Sequence, residues 1–414
     1  MRKRWSVVPL TACLLVSAAL TACGSGDSGS SDGGKASGEI TVRVYPLKAE
    51  EDDKTFWATQ VEAFKKVNPD ITVKIDVQPW KDRETSLVTQ ITGGNAPDVA
   101  YMIPDELRAF QAKGALDPIP DSVSRDGYRS TALDAATVDS TLYGAPVLMS
   151  VLPGTCDKKV LAAAGVTTPP ATWDDLMELG PKFKEKGFYA TTIDATNAAA
   201  LNTTYYPWVW QAGGDVFDKS GKLTIDSKPA QEALSYLTEL VEKGYAPKSE
   251  ATTAVPLDQS TIAKRQVACV FQTQPALLAD QWGDDRLVIP PLKNKAQKAY
   301  GTVGSLTILK GAKNKAAAAE WIKFVTTPEV MAKVDELGGF FAPKESTPLS
   351  YAAGTVDAES AKYLDMTYSG PPAAKAREIQ AVVAPEVQAA VLGQKSPDQA
   401  LKDAAGAAQQ ILGK

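Results

Sequence analysis

Residues 40–102 read ITVRVYPLKAEEDDKTFWATQVEAFKKVNPDITVKIDVQPWKDRETSLVTQITGGNAPDVAYM. The run Ile40-Thr41-Val42-Arg43-Val44-Tyr45 has the β-branched, apolar-rich character of a strand. Trp57, Val61 and Phe64 then fall at i, i+4 and i+7, which predicts a helix. Asn68-Pro69 stops it. Ile71-Thr72-Val73-Lys74-Ile75-Asp76-Val77 alternates as a second strand. Another helix runs to Gly93-Gly94, and Asp98-Val99-Ala100-Tyr101-Met102 is a short third strand. This alternation predicts an α/β fold with a parallel sheet and helices on both faces.

The pattern continues downstream. Thr172 with Asp175 opens a capped helix that buries Leu176, Leu179 and Phe183 and ends at Gly187. Ala233, Leu237, Leu240 and Val241 share one helical face, with Gly244 as the stop. Val267–Phe271 and Val303–Leu309 are β-runs. Ala318, Trp321, Ile322 and Val325 repeat at i, i+3, i+4 and i+7. Ser396-Pro397-Asp398-Gln399 reads as N-cap, N1 proline and capping-box glutamine. No internal repeat is visible.

Upstream of residue 39 the chain reads as address, not fold. Arg2, Lys3 and Arg4 precede an uncharged run from Trp5 to Leu20. Leu20-Thr21-Ala22-Cys23 resembles a bacterial lipobox, whose cysteine becomes lipid-linked after cleavage. The competing reading is a membrane anchor, but the run is short against the ~20 residues a span needs. Removing residues 1–22 leaves 41 basic and 49 acidic side chains, net −8 rather than −5. Eleven of the fifteen residues 24–38 are Gly or Ser, a flexible tether spanning roughly 20 Å.

The 414 residues contain no histidine. That excludes Ser-His-Asp and Cys-His catalysis and histidine metal sites. Acidic balance argues against nucleic-acid binding. No metal-ligand cluster, CxxC or cofactor motif is present, so no cofactor is expected. Of four cysteines, Cys13 leaves with the signal and Cys23 takes lipid. Cys156 and Cys269 remain in an oxidising setting, as one disulfide or as two buried thiols.

Five segments in order resemble a family. They are Phe64-Lys65-Lys66-Val67-Asn68-Pro69-Asp70-Ile71-Thr72-Val73, Gly93-Gly94-Asn95-Ala96-Pro97-Asp98-Val99, Lys113-Gly114-Ala115-Leu116-Asp117-Pro118-Ile119, Leu142-Tyr143-Gly144-Ala145-Pro146, and Trp321 through Glu329. Together with the lipobox they resemble the extracellular solute-binding lipoproteins of ABC importers, in the carbohydrate-binding cluster that includes maltose-binding protein. Each motif is weak alone; their order is more specific.

The resemblance implies a two-lobed periplasmic-binding-protein-like (type II) fold with discontinuous lobes and a ligand cleft at the hinge. Lobe one would hold 39–150 with 301–345, and lobe two 151–300 with 346–414. Cys156 and Cys269 would share a lobe, which favours the disulfide. The implied partners are a mono- or oligosaccharide, the permease subunits of an importer, and the membrane through lipid on Cys23. The implied protein is a monomer, not an enzyme, held on the outer face of a cell membrane. Ala and Gly content suits a high-GC Gram-positive bacterium. The alternatives are a same-fold receptor for a non-sugar solute and a two-carboxylate glycoside hydrolase, for which no marked pair exists.

Open α/β sheets bind ligands at the carboxyl ends of their strands. That rule selects Tyr45 and Lys48 after strand one, Trp80 after strand two, and Met102, Asp105 and Glu106 after strand three. The resemblance places an aromatic, an acid and an arginine of the family's sugar site on Met102, Asp105 and Glu106. Only Asp105 keeps its type, so the ligand is expected to differ from maltose. In lobe two the candidates are Asn202, Tyr205, Tyr206, Trp208, Gln272, Gln274, Trp282 and Tyr368, with Phe340 and Phe341 on the late crossing segment. Structural readings compete with these. Trp208 and Trp210 equally suit a core, Trp57 and Trp321 pack helices, and Asp105-Glu106 suits a helix N-terminus. Asp284-Asp285 suits an exposed turn and Gly338-Gly339 a tight one.

Overall fold

A computed structural model describes residues 35–196, 200–218, 221–348, 351–370 and 375–413. The N-terminal apolar run, Cys23 and the tether as far as Gly34 lie outside them. Strand β1 (Gly38–Val44), helix α1 (Glu50–Val67), β2 (Ile71–Val77), α2 (Arg83–Thr92), β3 (Val99–Met102) and α3 (Pro104–Ala112) follow the expected alternation. β1 pairs in parallel with β2 along its length and with β3 through Val42 and Val99. Short β4 (Leu116–Asp117) and β5 (Gly144–Met149) complete the first passage.

The chain then builds a second body. Its elements are β6 (Gly154–Asp157), α4 (Trp173–Glu185), α5 (Tyr206–Gln211), α6 (Lys228–Glu242), β7 (Cys269–Val270) and β8 (Arg286–Ile289). It returns as β9 (Val303–Leu309), α7 (Lys315–Val325) and α8 (Pro328–Gly338), and ends with α9 (Ala376–Val391) and α10 (Pro397–Leu412).

The first sheet has the order β2-β1-β3-β9-β4, with β5 also on β9. β9 runs antiparallel to β3, β4 and β5. The sheet is therefore mixed, parallel only in its first three strands. The periodicity of residues 303–309 marks a strand but carries no direction, and its partners, such as Met149 and Met102, lie far upstream in sequence. The second sheet, β8-β6-β7, is antiparallel and carries the Cys156–Cys269 disulfide between paired residues.

Each sheet has its own core. In the first, Phe64 meets Trp321 edge-on at 5.1 Å, and Trp57 lies 6.3 Å from the same indole. All three rings are buried, so both tryptophans pack helices as expected. Burying a large apolar side chain stabilises by ~1.5–3 kcal/mol. In the second, Trp173 stacks on Tyr236 at 4.5 Å, and Trp208 packs beside both.

The caps are legible down to single bonds. Asp175 N–H donates to Thr172 Oγ1 (3.0 Å) and Thr172 N–H to Asp175 Oδ2 (2.9 Å), a complete box. At α10 only half forms. Gln399 N–H donates to Ser396 Oγ, but the Gln399 amide turns to Asp403 Oδ1 at 2.8 Å.

Two crossing segments lie side by side between the cores. Ser150 N–H donates to Thr302 O (2.9 Å) and Leu152 N–H to Tyr300 O (2.8 Å). Gly301 sits where a Cβ would lie 2.1 Å from Ser150 O, which only glycine permits. No helix among the described residues is long and apolar enough to cross a membrane.

Candidate functional site

The carboxyl ends of β1, β2 and β3 bring three aromatic rings together. Tyr45 stacks on Trp80 at 4.9 Å, and Tyr101 meets both edge-on, at 6.2 and 6.0 Å. Trp80 is 37% exposed, the least covered of the three, and its indole N–H donates to Pro46 O. Arg83 lies over the Trp80 ring at 5.0 Å and ion-pairs with Glu106. Fully buried Arg43 donates to Tyr45 Oη, Gln90 Oε1 and Arg83 O, so three of its donors are filled by neutral acceptors.

Glu106 is buried beneath this surface. Burial pushes its carboxyl up to about 7, against the pull of Arg83. It also accepts from Ile103 N–H at the start of α3. Arg377, in the first turn of α9, reaches across from the second body. It lies 3.3 Å from Glu84 Oε1, 3.4 Å from Asp105 Oδ2 and 3.9 Å from Glu106 Oε1.

Beside this bridge lies a cavity between the two bodies. It holds about 700 Å³ of empty space, its open mouth included. One wall is Ile103, Pro104, Asp105 and Arg108 of the α3 segment. The opposite wall is Asn202, Tyr206, Trp210 and the turn Asp215-Val216-Phe217. Tyr300 and Thr302 of a crossing segment form the floor with Ser369 and Gly370, and Ala376, Ile379 and Gln380 close one side.

The far wall is held by a polar chain. Tyr368 Oη donates to Asp215 Oδ2, and Asp215 Oδ1 accepts from the Trp210 indole (3.0 Å) and Val216 N–H (2.9 Å). Burial raises the Asp215 carboxyl, while these donors lower it. Lys298 Nζ sits 3.7 Å over the Tyr368 ring. The wall thus offers rigid aromatic faces with fixed dipoles, suited to an apolar ring face carrying polar substituents.

Asp105, Asn202 and Tyr206 are candidates that line this cavity. Glu106 shares Arg377 with the cavity residue Asp105, Tyr45 and Trp80 form the aromatic cluster that Arg83 links to Glu106, and Tyr368 braces the cavity wall. The other candidates lie elsewhere. Met102 is buried in the first sheet opposite Ser305. Tyr205 is buried with its hydroxyl on Ala230 O, and Trp208 belongs to the second core. Trp282 fills a separate small cluster, its indole donating to Ile262 O. Phe341 is buried against Tyr351, and Phe340 packs on the first core. Gln272 accepts from Asp194 N–H at a different pocket, and Gln274 precedes the turn at Pro275–Leu278. Lys48 pairs with Asp52 on the surface. Tyr205, Trp208, Trp282, Phe340 and Phe341 turn into the packing of their own surroundings, because residue type does not encode side.

Arg108, Trp210, Asp215, Tyr300 and Arg377 were not among the candidates. Tyr300 has a readable reason. An antiparallel strand presents its first residues at the end where parallel neighbours present their last, so the segment before β9 belongs to the site. Arg377 stands in a polar helix start with no local signal.

Residues 48–332 match the family model for the bacterial extracellular solute-binding protein. A putative binding protein of Brucella abortus is 26% identical over 400 residues, 93% of this chain and 95% of that protein. The maltotriose-binding protein of Pyrococcus abyssi is 25% identical over 290 residues, 66% of this chain and 60% of that one. The sugar-binding protein MalE of Xanthomonas citri superposes with a TM-score of 0.79 at 20% identity, over 91% of this chain and 98% of its own. The family match spans well over half of the chain, and the chain belongs to the bacterial extracellular solute-binding protein family.

Proposed function

We propose that the protein is the substrate-binding component of an ABC importer and holds a mono- or oligosaccharide between two lobes. Lobe one comprises 39–150 with 301–345, and lobe two 151–300 with 346–414. The observation that carries this reading is the cavity itself. Its walls come from both bodies, are aromatic on one side and charged on the other, and are bridged by Arg377. A ligand touching both walls favours the closed form by the difference of its contacts in the two forms. The names of the maltotriose-binding and sugar-binding relatives support a carbohydrate.

In this reading Asp105, Asn202, Tyr206 and the Tyr45–Trp80 pair contact the sugar. The receptor does no chemistry; it hands its ligand to membrane permease subunits. Lipid on Cys23 holds it, as a monomer, at the outer face of the cell membrane. Isothermal titration against a panel of neutral and acidic mono- and oligosaccharides tests the reading. Saturable one-to-one binding to a sugar supports it. Silence across the panel, with binding to peptides or polyamines, overturns it, and steady product release from a sugar would indicate a hydrolase.

A further inference from the structure

Arg108 differs from the other arginines around the cleft. Arg83 pairs with Glu106, Arg377 meets three carboxylates, and Arg43 places three of its donors on neutral acceptors. Arg108 lines the cavity, is 8% exposed, and forms no ion pair among the described residues. Its one hydrogen bond is long, Nη2 to Asp134 O at 3.5 Å, and its Nε is buried without a partner. A guanidinium has five N–H donors. Arg108 therefore keeps donors to spare at the wall of the cavity, the buried Nε among them.

The neighbouring acids are already engaged. Asp105 faces Arg377, and Asp215 takes the Tyr368 hydroxyl, the Trp210 indole and Val216 N–H. Burial pulls the Arg108 guanidinium down to about 10, against the weaker pull of Tyr368 and Asp105. A buried charge is costly unless paired. Neutral hydroxyls would fill its donors but leave the charge.

We infer that Arg108 receives an anionic substituent of the ligand, so that the sugar is an acidic one bearing a carboxylate. The inference rests on the sugar-receptor reading above and narrows its substrate class. One guanidinium matches one carboxylate in a two-bonded fork. A doubly charged phosphate would exceed the single positive charge to be cancelled, and would meet repulsion from Asp105 and Asp215. Tyr206, Trp210 and Tyr300 supply the faces for the ring.

The test is titration of the full chain, in detergent, with D-glucuronate, D-galacturonate and digalacturonate, beside D-glucose, D-galactose, maltose and glucose 6-phosphate. The expected result is that an acidic sugar binds at least tenfold more tightly than its neutral counterpart. That preference should shrink as salt rises and be lost in Arg108→Gln, whose ratio of acidic- to neutral-sugar affinity should fall to about one. Arg108→Lys, which keeps the charge without the fork, should retain part of the preference. The wild-type comparison decides the matter even if Arg108→Gln fails to fold. Equal or tighter binding of neutral sugars overturns this inference and leaves the sugar-receptor reading standing. Preference for the phosphate overturns the carboxylate assignment. Silence toward every sugar overturns both.

Discussion

The Arg377 guanidinium lies 3.4 Å from Asp105 Oδ2, and this contact joins the two bodies at the cavity, as the Arg129–Asp365 ion pair (2.7 Å) does elsewhere. Arg377 belongs to α9 and Asp105 to α3, 272 residues apart in sequence. Both side chains are partly exposed, so each bond is modest, about 0.2–1 kcal/mol. Three carboxylates around one guanidinium still bias closure. Arg377→Gln should leave thermal stability within about 1 kcal/mol. It should weaken ligand binding several-fold and increase the solution radius of the unliganded protein by small-angle scattering. An unchanged radius together with unchanged affinity would show that the bridge has no part in closure.

Asp335 gives a pH dependence whose sign follows from its surroundings. It lies on α8, is buried, and its Oδ1 has no hydrogen-bond partner. Burial lifts its carboxyl from 3.8 to about 8. The folded state therefore holds a proton that the unfolded state releases, and stability falls as pH rises from about 4 through about 8. Asp335→Asn should remove this slope and raise the unfolding free energy at pH 9 by on the order of 2 kcal/mol. Denaturant melts at pH 5, 7 and 9 check it; parallel curves for the two proteins would refute it.

The disulfide closes a separation of 113 residues inside the second core. The chain-entropy model assigns a loop of that length about 4–5 kcal/mol. Reduction, or the pair Cys156→Ala and Cys269→Ala, should lower the melting midpoint by many degrees. Both residues lie away from the cavity walls, so affinity measured well below the midpoint should change less than twofold. A large affinity loss in a folded variant would tie the second sheet to ligand binding.

Much of this architecture is written locally. The strand–helix alternation of residues 40–102, the Thr172–Asp175 box and the Trp321 helix follow from periods and caps that any short window contains. What escaped is long-range. Nothing in Val303–Leu309 says that it inserts antiparallel beside β3, and that insertion carries Tyr300 and Thr302 into the cleft. Arg377 acquires its role only because α9 packs where it does. Aromatic residues after strands were visible, but whether each faces the cleft or its own core depends on packing that composition does not contain.

Gly301 is a steric prediction. A Cβ there would fall 2.1 Å from Ser150 O and 2.5 Å from the Thr367 methyl, so the adjoining segments would have to part. Backbone cannot yield as a side-chain tip can. Gly301→Ala should cost roughly 1–3 kcal/mol of stability and lower affinity further than that cost alone explains, because Tyr300 and Thr302 floor the cavity. Comparing melting and titration for this variant separates the two effects.

Trp80 and Trp208 are chemically equal candidates that the structure separates, and paired truncation exposes the difference. Trp208 is 3% exposed and packs against Trp173, Tyr236 and Phe271. Trp208→Ala should destabilise by about 3–5 kcal/mol through the cavity it leaves. Trp80 is 37% exposed, stacked on Tyr45 and capped by Arg83, itself paired with Glu106 beneath the Arg377 bridge. Removing it opens little core, so Trp80→Ala should cost less than about 1.5 kcal/mol of stability. Its loss should instead weaken binding of a sugar at least fivefold, because the exposed indole face is the part of this cluster that a ring can reach. If Trp80→Ala binds as wild type does, the aromatic cluster at the strand ends is a structural cap, and the ligand is confined to the cavity bounded by Tyr206 and Trp210.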